Sequence, residues 1–89
     1  MNNLKYIIEF NNGYSTRVIG EADSYQEARQ VVVKFLEEKN YKSHYWRSWA
    51  TEDGKKIQLD VGSWSEFFYI SRNDGAAVMG DLWNAIHGE

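Results

Sequence analysis

The sequence predicts an α+β domain: a mainly antiparallel sheet of about five strands in the chain order ββαβββα, with the first helix packed on one sheet face. Three observations predict it. Apolar side chains alternate with a period of two on either side of Asn-Gly and Asp-Gly turn signals, one stretch repeats at helical spacing behind a capping signature, and no linker or repeat divides residues 1–89. A single domain is expected.

Leu4, Tyr6, Ile8 and Phe10 alternate with Lys5, Ile7 and Glu9, the pattern of a strand with one buried face. Asn11-Asn12-Gly13 ends it. A three-residue loop with Gly13 left-handed would set Phe10 opposite Tyr14, Ile8 opposite Thr16 and Tyr6 opposite Val18, so that both apolar faces coincide. A two-residue Asn12-Gly13 turn would put Arg17 against Ile8 on the buried side, and the longer loop is therefore expected.

Ser24-Tyr25-Gln26-Glu27 reads as a capping box, the Ser24 hydroxyl accepting the Glu27 amide and the Glu27 carboxylate returning to the Ser24 amide. A helix follows. Ala28, Val31, Val32, Phe35 and Leu36 form its apolar stripe, and Asn40 ends it. Glu37 and Glu38 sit at the negative end of the helix dipole, with Lys34 and Lys39 nearby as compensation.

Residues 41–51 and 56–61 flank Glu52-Asp53-Gly54-Lys55, where Asp53-Gly54 signals a two-residue hairpin turn. That register pairs Ala50 with Ile57, Ser48 with Leu59 and Trp46 with Val61 on one face, and Trp49 with Gln58 and Arg47 with Asp60 on the other. The first set makes the better core. Residues 67–70 read as a last short strand whose edge invites pairing, Asn73-Asp74-Gly75 punctuates, and Met79, Leu82, Trp83 and Ile86 suggest a C-terminal helix stopping near His87-Gly88. The first helix is expected on the face carrying Tyr6, Ile8, Val18, Trp46 and Leu59.

Composition narrows the function classes. With 89 residues and no cysteine, the chain can build neither a disulfide nor a thiolate metal site, and fourteen aromatics in 43% hydrophobic residues must carry the core. Ten Lys and Arg against thirteen Asp and Glu give a net charge of -3, the wrong sign for a domain that lives on phosphate contacts. Direct nucleic-acid binding is disfavoured. No basic-then-apolar leader pattern occurs in residues 1–5, and apolar runs such as Val31-Val32-Val33 are only a few residues long, so no membrane span and a cytoplasmic address are expected.

Chemistry finds no foothold in the motifs. His44 and His87 share no ligand spacing, Gly62-Ser63-Trp64-Ser65 lacks the second glycine of a nucleophile elbow, and Gly75 and Gly80 miss the phosphate-binding spacing. Neither a cofactor, a metal nor an enzyme activity is expected. What remains is surface. The sheet face away from the helix should carry Lys5, Ile7, Arg17, Ile19, Tyr45, Arg47, Trp49 and Lys56 with Glu9 and Asp60, unless the C-terminal helix covers it as a third layer. Glu21, Asp23 and Glu27 at one end of the first helix and Glu37 and Glu38 at the other form the acidic counter-surface.

Over Asp60-Val61-Gly62-Ser63-Trp64-Ser65-Glu66-Phe67-Phe68-Tyr69-Ile70 the sequence resembles small accessory proteins encoded by phages and prophages of Gram-positive bacteria. The resemblance covers the second half of the chain. It implies a role in binding a host protein or nucleoprotein complex in the bacterial cytoplasm, and the anti-CRISPR inhibitors of nucleic-acid-guided nucleases are similar in size and charge. The expectation is a non-enzymatic inhibitor, monomeric or homodimeric, that blocks the nucleic-acid engagement of a defence protein such as a CRISPR effector nuclease. Its partner-binding residues are expected among Asp23, Glu27, Glu37, Glu38, Tyr45, Arg47 and Trp49. The rivals are a single-stranded nucleic-acid binder using Lys5, Arg17, Tyr45, Arg47 and Trp49, and a self-associating structural or regulatory protein.

Overall fold

A computed structural model describes residues 5–42, 45–63 and 65–78. Alternation in the first segment produces strand β1 (Tyr6–Asn11), which buries Tyr6, Ile8 and Phe10 on one face and pairs antiparallel with β2 (Thr16–Ala22). Helix α1 (Tyr25–Glu38) follows, and β3 (Arg47–Ala50), β4 (Lys56–Asp60) and β5 (Phe67–Arg72) complete one sheet in the order β2-β1-β5-β4-β3. Every neighbouring pair is antiparallel. The α+β class and the chain order ββαβββ match the sequence reading; the predicted helix around Met79, Leu82, Trp83 and Ile86 lies outside the described residues.

The core forms where α1 lays Ala28, Val32 and Leu36 against the face carrying Ile8, Ile57, Leu59, Phe68 and Ile70. At its centre the rings of Phe10, Phe35 and Phe68 lie within 4.8–5.6 Å of one another. The helix comes very close to β2. A Cβ added at Gly20 would meet Val31 Cγ1 at 2.9 Å, so the missing side chain is what admits the helix there. Val78 is also fully buried, and its N–H donates to the Gly54 carbonyl at 2.9 Å, drawing the chain after β5 back against the β3–β4 turn.

Both helix ends follow their sequence signals, with one correction. Ser24 Oγ accepts from the Glu27 amide at 3.1 Å, but Glu27 Oε2 accepts from the Asp23 amide, not that of Ser24. At the other end Asn40 takes φ 59°, and the amides of Asn40 and Tyr41 donate to Glu37 and Leu36 carbonyls, closing the helix in a Schellman turn.

Two pairings depart from expectation. In the first hairpin Phe10 faces Arg17 and Asn11 faces Thr16, so the loop spans four residues and the register moves away from the predicted Phe10–Tyr14 match. The asparagines cause it. Asn11 Oδ1 accepts from the Gly13 amide, and Asn12 Oδ1 accepts from the amides of Tyr14 and Ser15, so side chains supply the turn's acceptors and Tyr14 is left in solvent. That register turns Val18 outward and Ile19 toward the core, and a bulge at Ile19 then shifts the ladder between Ile8 and Glu9 so that Gly20 pairs with Ile8. The second correction concerns β5, expected at an edge but central between β1 and β4, where Phe68 and Ile70 are fully buried. The second hairpin keeps the predicted pairs Arg47–Asp60, Ser48–Leu59, Trp49–Gln58 and Ala50–Ile57. Its turn is looser than a two-residue one: the Gly54 amide donates to the Thr51 carbonyl, and Gly54 is left-handed at φ 72°.

Candidate interaction surface

On β3, alternation sends Arg47 and Trp49 to the sheet face opposite α1, and Tyr45 continues the same spacing just before the strand. Tyr45 is 47% exposed and Trp49 38% exposed, and among the described residues no layer covers the face along this edge. The row is ordered from below. Arg47 Nη2 donates to Asp60 Oδ2 at 2.7 Å, its guanidinium lies 4.9 Å from the Tyr45 ring and 6.0 Å from the Trp49 ring, and Trp49 Nε1 donates to Gln58 Oε1 at 3.3 Å.

Asp60 is the anchor. Its carboxylate is buried and accepts from Arg47 and from the Gly62 amide at 2.9 Å, and these bonds hold its pKa below the usual carboxylate range, the Arg47 bond contributing most. Further into the face, the register places Val18, Glu9, Tyr69, Gln58 and Trp49 in one line across all five strands. Lys56 Nζ reaches Glu9 Oε1 at 2.8 Å and passes 5.8 Å from the Tyr69 ring. The surface is thus an aromatic platform with its charges largely paired.

Of the seven expected partner-binding residues, the structure brings Tyr45, Arg47 and Trp49 together and scatters the acids. Asp23 is ion-paired with Lys5, and Glu27 caps the helix. Glu37 and Glu38 are exposed about 15 Å further along the helix axis. The basic set also divides. Arg17 lies on the helix side with its guanidinium 5.6 Å from the Phe35 ring, because the shifted register reverses the face on which it was expected. Tyr69 and Gln58 are members that sequence reasoning left out of the candidate site. Tyr69 escaped notice because its place depends on β5 joining β1, although its alternation with Phe68 and Ile70 carries the signal.

Among the described residues no three His, Asp or Glu side chains gather in a metal-binding group, and no helix is long and apolar enough to cross a membrane. His44, His87, Trp64 and Gly80 lie outside the described residues. Compared with known families, curated proteins and solved structures, the chain matches none.

Proposed function

We propose that the chain is a non-enzymatic binding protein that docks a host protein on the Tyr45–Arg47–Trp49 row, and that its partner is a defence nucleoprotein whose nucleic-acid engagement it blocks. One observation carries the reading: Tyr, Arg and Trp, the residue types that dominate protein-interface energetics, stand exposed in one row already ordered by Asp60 and Gln58. Side chains fixed before contact lose little freedom on binding. The phage-like segment supplies the class of partner.

Stacking of unpaired bases would draw on the same exposed rings, but Lys5 is paired with Asp23, Lys56 with Glu9 and Arg17 lies on the opposite side of the sheet. The platform therefore offers few cations for phosphates.

Expression beside a CRISPR effector nuclease, with interference against a targeted plasmid as readout, tests the proposal. Loss of interference is expected, with binding to the effector weakened about tenfold or more by Tyr45→Ala or Trp49→Ala and little by Glu38→Lys. Full interference with no bound effector would sink the defence reading; salt-dependent quenching of tryptophan fluorescence by single strands would shift the function to nucleic acid.

A further inference from the structure

The two edges of the sheet are built differently. On β2 the bulge interrupts the ladder and leaves Ile19 unpaired, a standard protection against a further strand. On β3 the register runs without a shift from Arg47 to Ala50, the chain contains no proline, and among the described residues no strand lies beyond it. The Thr51 amide donates inward to the Lys56 carbonyl at 2.8 Å. By the alternation of an antiparallel ladder, Arg47 and Trp49 also turn their backbone groups toward β4, whereas Ser48 and Ala50 turn theirs outward.

We propose that β3 pairs antiparallel with β3 of a second copy of this chain, about a two-fold axis through Ser48, joining two five-stranded sheets into one. The strand complements itself in that register. Ser48 meets Ser48 of the copy and exchanges two backbone hydrogen bonds with it, while on the helix side each Trp46 falls opposite the small Ala50 of the other copy. On the open side each Arg47 falls opposite the other copy's Trp49, a cation against a ring face, as Arg47 already lies 6.0 Å from its own Trp49 ring. Sliding the pair by two residues toward the start of β3 would set Arg47 directly against Arg47, so like charge opposes that register. The dimer uses backbone groups at the edge. It shares Arg47 and Trp49 with the proposed docking row but forms without the host partner, and it would bring two Tyr45–Arg47–Trp49 rows side by side on one continuous face.

Sedimentation equilibrium of the whole chain over a range of concentrations tests this. A reversible monomer–dimer equilibrium is expected. Ser48→Pro removes an outward N–H and spares the β3–β4 ladder, and Trp49→Lys sets Lys against Arg47 across the axis; each should weaken the dimer about tenfold or more, while Val18→Lys on the other edge leaves it unchanged. Circular dichroism verifies that each variant is folded, and exposed Trp49 keeps the test decisive should Ser48→Pro unfold. A monomer at every concentration, a dimer indifferent to folded Ser48→Pro and Trp49→Lys, or one broken by Val18→Lys would overturn the proposal.

Discussion

Arg47 and Asp60 form a pair with unequal burial: the guanidinium donates to Asp60 Oδ2 at 2.7 Å with 63% of the arginine side chain exposed but only 7% of the aspartate. An exposed arginine is thereby held in place by a charge that the solvent barely reaches. Because the folded-state pKa of Asp60 is depressed, its contribution is complete above its unfolded value near pH 4 and is lost as pH falls through the folded value. Asp60→Asn should cost about 1–3 kcal/mol at pH 7 and flatten the acid limb of the stability curve. Asp53, held low chiefly by the Lys55 amide, and Asp74, held low chiefly by Arg72, still titrate in that variant and leave a residual slope. Thermal unfolding at pH 7 and pH 3 checks it; equal losses in parent and variant would contradict the assignment.

Gly20 and Val31 predict a coupled pair. Gly20→Ala forces its Cβ to within 2.9 Å of Val31 Cγ1, and the overpacking should cost about 1–3 kcal/mol. Val31→Ala removes the clashing methyl, so the double variant should be more stable than the sum of the single losses allows. A double-mutant cycle in denaturant reads this directly, and simple additivity would refute it.

The ends of α1 should respond oppositely to charge reversal. Glu27 accepts from the Asp23 amide in the first turn, so Glu27→Lys loses both a cap and a favourable dipole interaction and lowers the melting temperature. Glu37→Lys places a cation in a last turn that has no basic residue, and a gain of about 0.3–1 kcal/mol is expected. This difference matters for mapping a partner. A weakened interaction in Glu27→Lys must be corrected for lost folding, whereas one in Glu37→Lys reports on contact.

Phe68 joins β5 to the rings of Phe10 and Phe35, so Phe68→Ala should cost about 3–5 kcal/mol. Tyr14→Ala, at an exposed loop tip, should stay within about 0.5 kcal/mol. Urea denaturation of the two variants separates a central ring from a solvated one, and similar losses would contradict the core described.

The parts of this fold that could be read from sequence are those governed by short-range geometry. The β3–β4 register was legible because alternation on both strands and Asp53-Gly54 agree on one pairing, and the Tyr45–Arg47–Trp49 row follows from it. The first hairpin offered two signals in conflict. Matching Tyr14 and Val18 to the apolar face favoured a short loop, while the side-chain acceptors of Asn11 and Asn12 stabilise a longer one, and a bulge adjusts the remainder. The central position of β5 depends on contact between distant segments, which no local pattern encodes. The unbroken apolar run Phe67-Phe68-Tyr69-Ile70 fits a strand buried between neighbours, but it does not name them.

That central strand bears on how the molecule is made. Each hairpin closes over a short span, yet the seam between them pairs Ile8 with Ile70, and nearly the whole described chain lies between these two residues. On the ribosome, a nascent chain that has not yet released β5 is expected to hold two half-sheets with unjoined apolar faces, and the last of the described strands to emerge is the one that unites them. Completion of the sheet is therefore a late, all-at-once event, favoured once β5 is free. Protease sensitivity of stalled chains should fall abruptly when Arg72 clears the exit tunnel; a gradual decline beginning at β2 would argue for piecewise assembly instead.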